Sequence, residues 1–202
     1  MTLDRLRPLA DRAIAPFVTG ASRIGLTPDG VSVFALAVAS GAALSFYHAG
    51  REPLLYLLGA GLVFLNGWLD LLDGALAREL EVDSAGGDLL DHVLDRYADI
   101  LIIVGLAGGI GRFGLGFAAV TGVLMTSYLG TQTQAVGLDR AYGGTLGRAD
   151  RLALTAAVTA VTPLVAGQVG GLTPVGWLLV VFAVAGHLTA LQRFYHAMRA
   201  LG

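Results

Sequence analysis

The sequence predicts an all-α integral membrane protein, with six transmembrane helices and an N-terminal amphipathic surface helix. Three observations predict it. The 202-residue chain is 55% hydrophobic and only 14% charged, with a mean hydropathy of +0.70, which is too apolar for an ordinary soluble domain. Its apolar residues fall into six runs, each close to the ~20 residues that a helix needs to cross the hydrocarbon. Its arginines gather at alternate ends of those runs. Composition also excludes several classes of function. There is no cysteine, which removes disulfides, thiolate nucleophiles and Cys-ligated metals. The net charge of −2 gives no basic bias toward nucleic acid, and all 13 basic residues are Arg. The 29 glycines fit close helix packing, because small residues let membrane helices approach one another.

Residues 1–26 form an N-terminal cytoplasmic segment, and residues 27–202 the six-span membrane domain. In the first segment Leu3, Leu6, Leu9, Ala10, Ile14, Phe17 and Val18 recur at helical spacing with Arg and Asp between them. That pattern fits a helix on the membrane surface or a cap packed on the spans. A cleaved signal peptide does not fit, since the apolar run starts late and five more spans follow it. Thr27-Pro28-Asp29-Gly30 is the turn into span one, with Thr27 placed to cap the helix and Pro28 in its first turn. The spans are Val31 to Tyr47, Leu54 to about Arg78, about Asp88 to Ile110, Phe113 to about Val136, about Leu152 to Val169, and Val175 to about Tyr195.

Arg5, Arg7, Arg12, Arg23, Arg78, Arg140, Arg148, Arg151, Arg193 and Arg199 fall on one side of this layout, and Arg51 and Arg112 on the other. The positive-inside rule makes the first side cytoplasmic. Both termini and the loop between spans two and three then face the cytoplasm.

That loop joins two acidic helix faces. On span two, Asp70, Asp73, Gly74, Ala77 and Arg78 share one face, by their steps of three, four, seven and eight residues. Two carboxylates, two residues of minimal volume and a guanidinium cover about 12 Å of helix. A nucleotide with a pyrophosphate fits a groove of that kind, with metal at one end and Arg at the other. On span three, Asp88, Asp91, Asp95 and Asp99 make a matching stripe. A turn at about Glu81 to Gly87 brings the two faces together, and Gly86-Gly87 permits a bend or the close approach of a ligand. Four carboxylates cannot all stay charged in a low dielectric without cations. An all-oxygen donor set points to Mg²⁺ or Mn²⁺, and paired ions can clamp a displacement at phosphorus. Asp88 alone would suit a helix start, and Asp99 alone an ion pair with Arg; matched spacing on adjacent helices points beyond such single roles. His92 points about 100° off the stripe, toward packing or support.

These residues spell D-x2-D-G-x2-A-R-x8-G-x3-D-x3-D. Asp70, Asp73, Gly74, Ala77, Arg78, Gly87, Asp91 and Asp95 fill its eight fixed positions over 26 residues. The sequence thereby resembles the CDP-alcohol phosphotransferases, and its six-span layout extends the likeness over most of the chain. The resemblance implies that Asp70, Asp73, Asp91 and Asp95 hold two divalent metals, with Asp95 also the general base. It implies that Asp73, Gly74, Ala77, Arg78 and Gly87 surround the CDP part of the substrate. The implied reaction moves a phosphatidyl- or archaetidyl-type group from a CDP-linked lipid to an alcohol and releases CMP, in a homodimer.

Arg148 and Arg151, three residues apart before span five, are the candidate acceptor residues, because Arg pairs well with phosphate. Arginines there also satisfy topology and anionic headgroups. Gly147-Arg148-Ala149-Asp150-Arg151 looks like the R-A-x-R stretch of the family's inositol-phosphate branch. The basic stretch of that branch at the end of span four is replaced here by 127–134, which has no base. There Tyr128 and Gln132 can line a neutral polyol pocket or bond between helices. The expected acceptor is a phosphorylated polyol, inositol phosphate or glycerol phosphate. An unphosphorylated acceptor such as serine is the alternative within the chemistry, and a cation-binding transporter the alternative outside it. A transporter would give Gly74, Ala77, Arg78 and Gly87 no role.

Overall fold

The computed structural model describes residues 7–202 apart from 83, 140, 142, 143, 145 and 166, with side chains from residue 12 onward. Arg5, Leu3, Leu6 and Arg140 lie outside the described residues, as do the side chains of Arg7, Leu9 and Ala10. Among the described residues there are seven α-helices: α1 Arg7–Arg23, α2 Pro28–His48, α3 Leu55–Glu79, α4 Ala85–Gly109, α5 Phe113–Ala135, α6 Arg148–Val161 and α7 Pro174–Leu201.

Helix α2 starts as its sequence dictates. The Thr27 hydroxyl accepts from the Gly30 amide at 3.2 Å and Pro28 takes the first turn, where its missing N–H costs nothing. Helix α4 starts in the same way, with the Ser84 hydroxyl accepting from the Gly87 amide at 3.0 Å. The expected turn through Gly87 is therefore shorter than its sequence implies, and Gly86 and Gly87 lie in the first helical turn.

Among the described residues four helices, α2, α3, α5 and α7, are long and apolar enough to cross a membrane. Helix α4 has the length, at 25 residues, but carries Asp88, Asp91, Asp95, Arg96 and Asp99. The fifth expected run is the one whose boundaries move. Its helix begins four residues early, at Arg148, and stops at Val161, giving 14 residues and about 21 Å. Pro163 supplies no N–H to continue the ladder, and a single 3-10 turn, Thr162–Leu164, follows. Gly170 and Gly171, at φ 59° and 76°, then make the tight turn that pairs Val169 with Leu172 before α7.

Helix α2 packs on α3 and α4, α4 on α5, α5 on α7, and α6 on α3 and α7. One core runs through Ala39, Phe46, Val63, Ile102, Leu106, Leu179 and Phe182. Small residues set the closest crossings. A Cβ at Gly186 on α7 would lie 2.6 Å from the Gly122 carbonyl carbon on α5. A second core joins Ile14, Val18 and Ala21 of α1 to Leu69, Leu72 and Leu76 of α3. Phe17 meets Trp68 edge to face at 4.8 Å. One face of α1 thus packs on α3, one of the two helices that carry the acidic residues.

Candidate active site

Helical period brings the site together. Asp70, Asp73, Gly74, Ala77 and Arg78 come from α3, and Gly87, Asp91 and Asp95 from α4. Oxygens of Asp70, Asp91 and Asp95 lie within 4.8 Å of one another. All the donors are carboxylate oxygens on helices, which suits a hard divalent ion and gives a soft metal no ligand. Asp73 lines the same crevice but is more deeply set, 6% exposed. Its Oδ2 accepts from the Ser32 hydroxyl at 2.7 Å, and its Oδ1 from the Gly74 amide at 2.6 Å.

Beside the crevice runs a groove of about 830 Å³, within the range of small-molecule sites. Asp73, Gly74, Ala77, Arg78, Gly87 and Asp91 line it, so every residue expected around the CDP part borders one space. Sequence reasoning missed its other wall. Thr27, Pro28, Asp29 and Ser32, at the start of α2, complete it together with Ser84. A signal existed in the capping sequence Thr27-Pro28, but no periodicity says which helix its turn will face.

Helix α6 borders the carboxylate crevice rather than the groove, through Arg148. Arg148 is its first residue, so the positive helix end points at the carboxylates. Its Nη1 lies 2.5 Å from Asp70 Oδ1 and its Nη2 2.7 Å from Asp95 Oδ1. Asn66, 1% exposed, anchors this corner. Its amide donates to the Ala35 carbonyl at 2.9 Å, and its Oδ1 lies 3.5 Å from Arg148 Nη2.

Arg151 points elsewhere. It is buried, with Nη2 2.6 Å from Asp99 Oδ2. Arg96, which the sequence reading left without a role, lies between the two pairs, 3.6 Å from Asp95 and 3.8 Å from Asp99, and donates to Ser127 of α5. Charges therefore alternate through the protein, Asp70, Arg148, Asp95, Arg96, Asp99, Arg151. Within this series each carboxylate has a guanidinium beside it. Arg151 also lines a small cavity with Thr126, Leu146, Gly186 and Thr189 between α5 and α7. Arg148 and Arg151 thus occupy two neighbouring places rather than one. Of the remaining candidates, Asp88 is exposed in the first turn of α4, and His92 Nδ1 lies 2.8 Å from the Asp88 carbonyl oxygen. Tyr128 is exposed.

Apolar helices of membrane length, a cluster of carboxylates and an adjoining groove fit a membrane enzyme for phosphate-linked substrates. The chain belongs to the CDP-alcohol phosphatidyltransferase family, whose model matches residues 25–190. It is an enzyme of that class, a phospholipid-synthesising transferase. It is 31% identical to the archaetidylinositol phosphate synthase of Methanothermobacter thermautotrophicus, over 98% of this chain and 95% of that protein. It is 33% identical to the phosphatidylinositol phosphate synthase of Mycobacteroides abscessus, over 91% of this chain and 82% of that protein. Among solved structures it is similar to the Mycobacterium tuberculosis phosphatidylinositol phosphate synthase with CDP-DAG bound. There the TM-score is 0.77 and the identity 26%, covering 92% of this chain and 94% of that one. The same enzyme in complex with manganese and citrate matches with a TM-score of 0.77 and 27% identity, covering 91% and 88%.

Proposed function

We propose that this chain moves a phosphatidyl- or archaetidyl-type group from a CDP-linked lipid to inositol phosphate and releases CMP. The observation that carries the reading is Arg148, which stands against Asp70 and Asp95 at the start of α6. A guanidinium at the metal centre is placed for an acceptor that brings its own phosphate. The relatives named archaetidylinositol phosphate synthase and phosphatidylinositol phosphate synthase support the same acceptor. Glycerol phosphate would meet the same arginine, and the two acceptors differ only in the polyol.

The residues divide the work. Asp70, Asp73, Asp91 and Asp95 would hold Mg²⁺ or Mn²⁺, which supplies charge neutralisation for an in-line displacement at phosphorus. Ser32 holds Asp73 in place. Gly74 and Ala77 leave room for the nucleotide, with Arg78 and Gly87 at the groove's edge. Asp95 takes the acceptor hydroxyl proton as that oxygen bonds to the β-phosphorus. The bond from that phosphorus to the bridging oxygen breaks, and CMP leaves with the electron pair. Six helices would cross the membrane, with Asp95 and Asp99 of the acidic α4 paired to Arg148 and Arg151 of the short α6 rather than facing lipid. The arginine bias supports a cytoplasmic site and cytoplasmic termini, with α1 as an amphipathic helix at the surface. The family resemblance supports a homodimer.

The test is CMP release from a CDP-lipid by the purified chain in detergent with Mn²⁺, offering inositol phosphate, glycerol phosphate or serine in turn. The expected result is fast release and a phosphorylated lipid product with inositol phosphate, abolished by a chelator and restored by Mn²⁺ or Mg²⁺. A preference for serine would overturn the acceptor reading, and full activity in excess chelator the metal reading.

A further inference from the structure

We propose that Arg148 is an internal counter-cation for the metal centre, which a divalent ion must displace from Asp70 and Asp95 in order to bind. The inference rests on the metal reading of the carboxylates and adds a competitor to it. Three observations carry it. The two amino groups of one guanidinium reach one carboxylate from each helix, at 2.5 and 2.7 Å, and so span the ligand cluster. The Arg148 Nε is buried without a hydrogen-bond partner among the described residues, so the guanidinium fits this place incompletely. Asp95 has a second cation, Arg96 at 3.6 Å, whereas among the described residues Asp70 is ion-paired with Arg148 alone.

The charges give the arrangement a purpose. Asp70, Asp91 and Asp95 packed within 4.8 Å repel one another without a cation, so Arg148 keeps the helix pair closed before metal arrives. The same contact lowers apparent metal affinity, because only the fraction of molecules with the guanidinium displaced is competent to bind. Once ions neutralise the carboxylates, Arg148 is a buried cation without an anion, a costly state. It is then available to a substrate phosphate.

The test is the affinity of the detergent-solubilised full chain for Mn²⁺ alone, read by electron paramagnetic resonance of the free ion, without substrate. Wild type is compared with Arg148→Gln and Arg148→Lys. The Gln variant removes the competitor, and it should bind Mn²⁺ about tenfold more tightly or better, the ratio expected for one ordinary charged contact. The Lys variant keeps the charge, and with it a cation for Asp70, but cannot span both carboxylates. It should fall between the other two and keeps the test decisive if the Gln variant does not fold. Equal or weaker binding by Arg148→Gln, or binding by Arg148→Lys equal to wild type, would overturn the proposal. Absence of Mn²⁺ binding by the wild type would instead overturn the metal reading beneath it.

Discussion

Asp95 and Asp73 are both carboxylates of the acidic hairpin, but their surroundings give them different work. Asp73 is fixed by Ser32 and by the Gly74 amide, so both its oxygens are held. Asp95 faces Arg148 and Arg96, and lies in the crevice where an acceptor hydroxyl would arrive. Asp95→Asn nearly preserves shape but removes the proton acceptor. Turnover should drop by at least ~10²-fold, the low end for loss of a general base, while CDP-lipid binding falls less than in Asp70→Asn. Steady-state CMP release and equilibrium binding measure the two, and near-normal turnover would make Asp95 a structural residue. The carboxylates were legible in the sequence because helical period alone turns their spacing into a face. Arg96 was not. Its partners include Ser127 on α5, and that contact depends on how α4 and α5 cross, which no local pattern encodes. Ser32 and Asn66 escaped for the same reason: each acts on another helix.

At the scale of the element, the α3–α4 hairpin is the part the sequence describes most fully. Its length, facing stripes and groove follow from the period of each helix and a short connection. Helix α6 was less legible. The apolar run continues past Val161, but Pro163 ends the ladder, and Arg148 and Arg151, expected to lie before the span, belong to the helix itself. Hydropathy cannot distinguish an arginine at a mouth from one paired to a carboxylate on a neighbouring helix. The hairpin itself makes a definite prediction about volume. Ala77 lines the groove beyond Gly74, between Asp73 and Arg78. Ala77→Leu keeps a good helix former and adds three carbons into that space. The protein should fold and bind Mn²⁺ as wild type does, while its KM for the CDP-lipid rises. An unchanged KM would place the nucleotide somewhere else.

At the scale of the whole molecule, the fold depends on close helix crossings as much as on apolar area. Lipid is as apolar as a leucine side chain, so burial alone does not hold membrane helices together, and backbone approach with dense packing must. Helices α5 and α7 meet at Gly122 and Gly186, where a Cβ on Gly186 would lie 2.6 Å from the facing carbonyl carbon. Near this crossing Thr126 donates to the Gly186 carbonyl at 2.8 Å, and Arg193 donates to the Thr126 carbonyl at 2.5 Å. Both facing atoms are backbone, so neither helix can yield by rotating a side chain. Gly186→Leu should therefore separate α5 from α7 and cost about 2 kcal/mol or more, within the usual range for overpacking. For a chain of this size that lowers Tm by roughly 4 °C or more. Gly61 on α3 is the control, since a Cβ there meets nothing within 4 Å. Gly61→Leu adds the same volume toward open space and should leave Tm close to the wild-type value. Thermal unfolding of the three proteins in one detergent separates the two sites. Equal Tm values for Gly186→Leu and Gly61→Leu would mean that the α5–α7 crossing does not depend on its glycines.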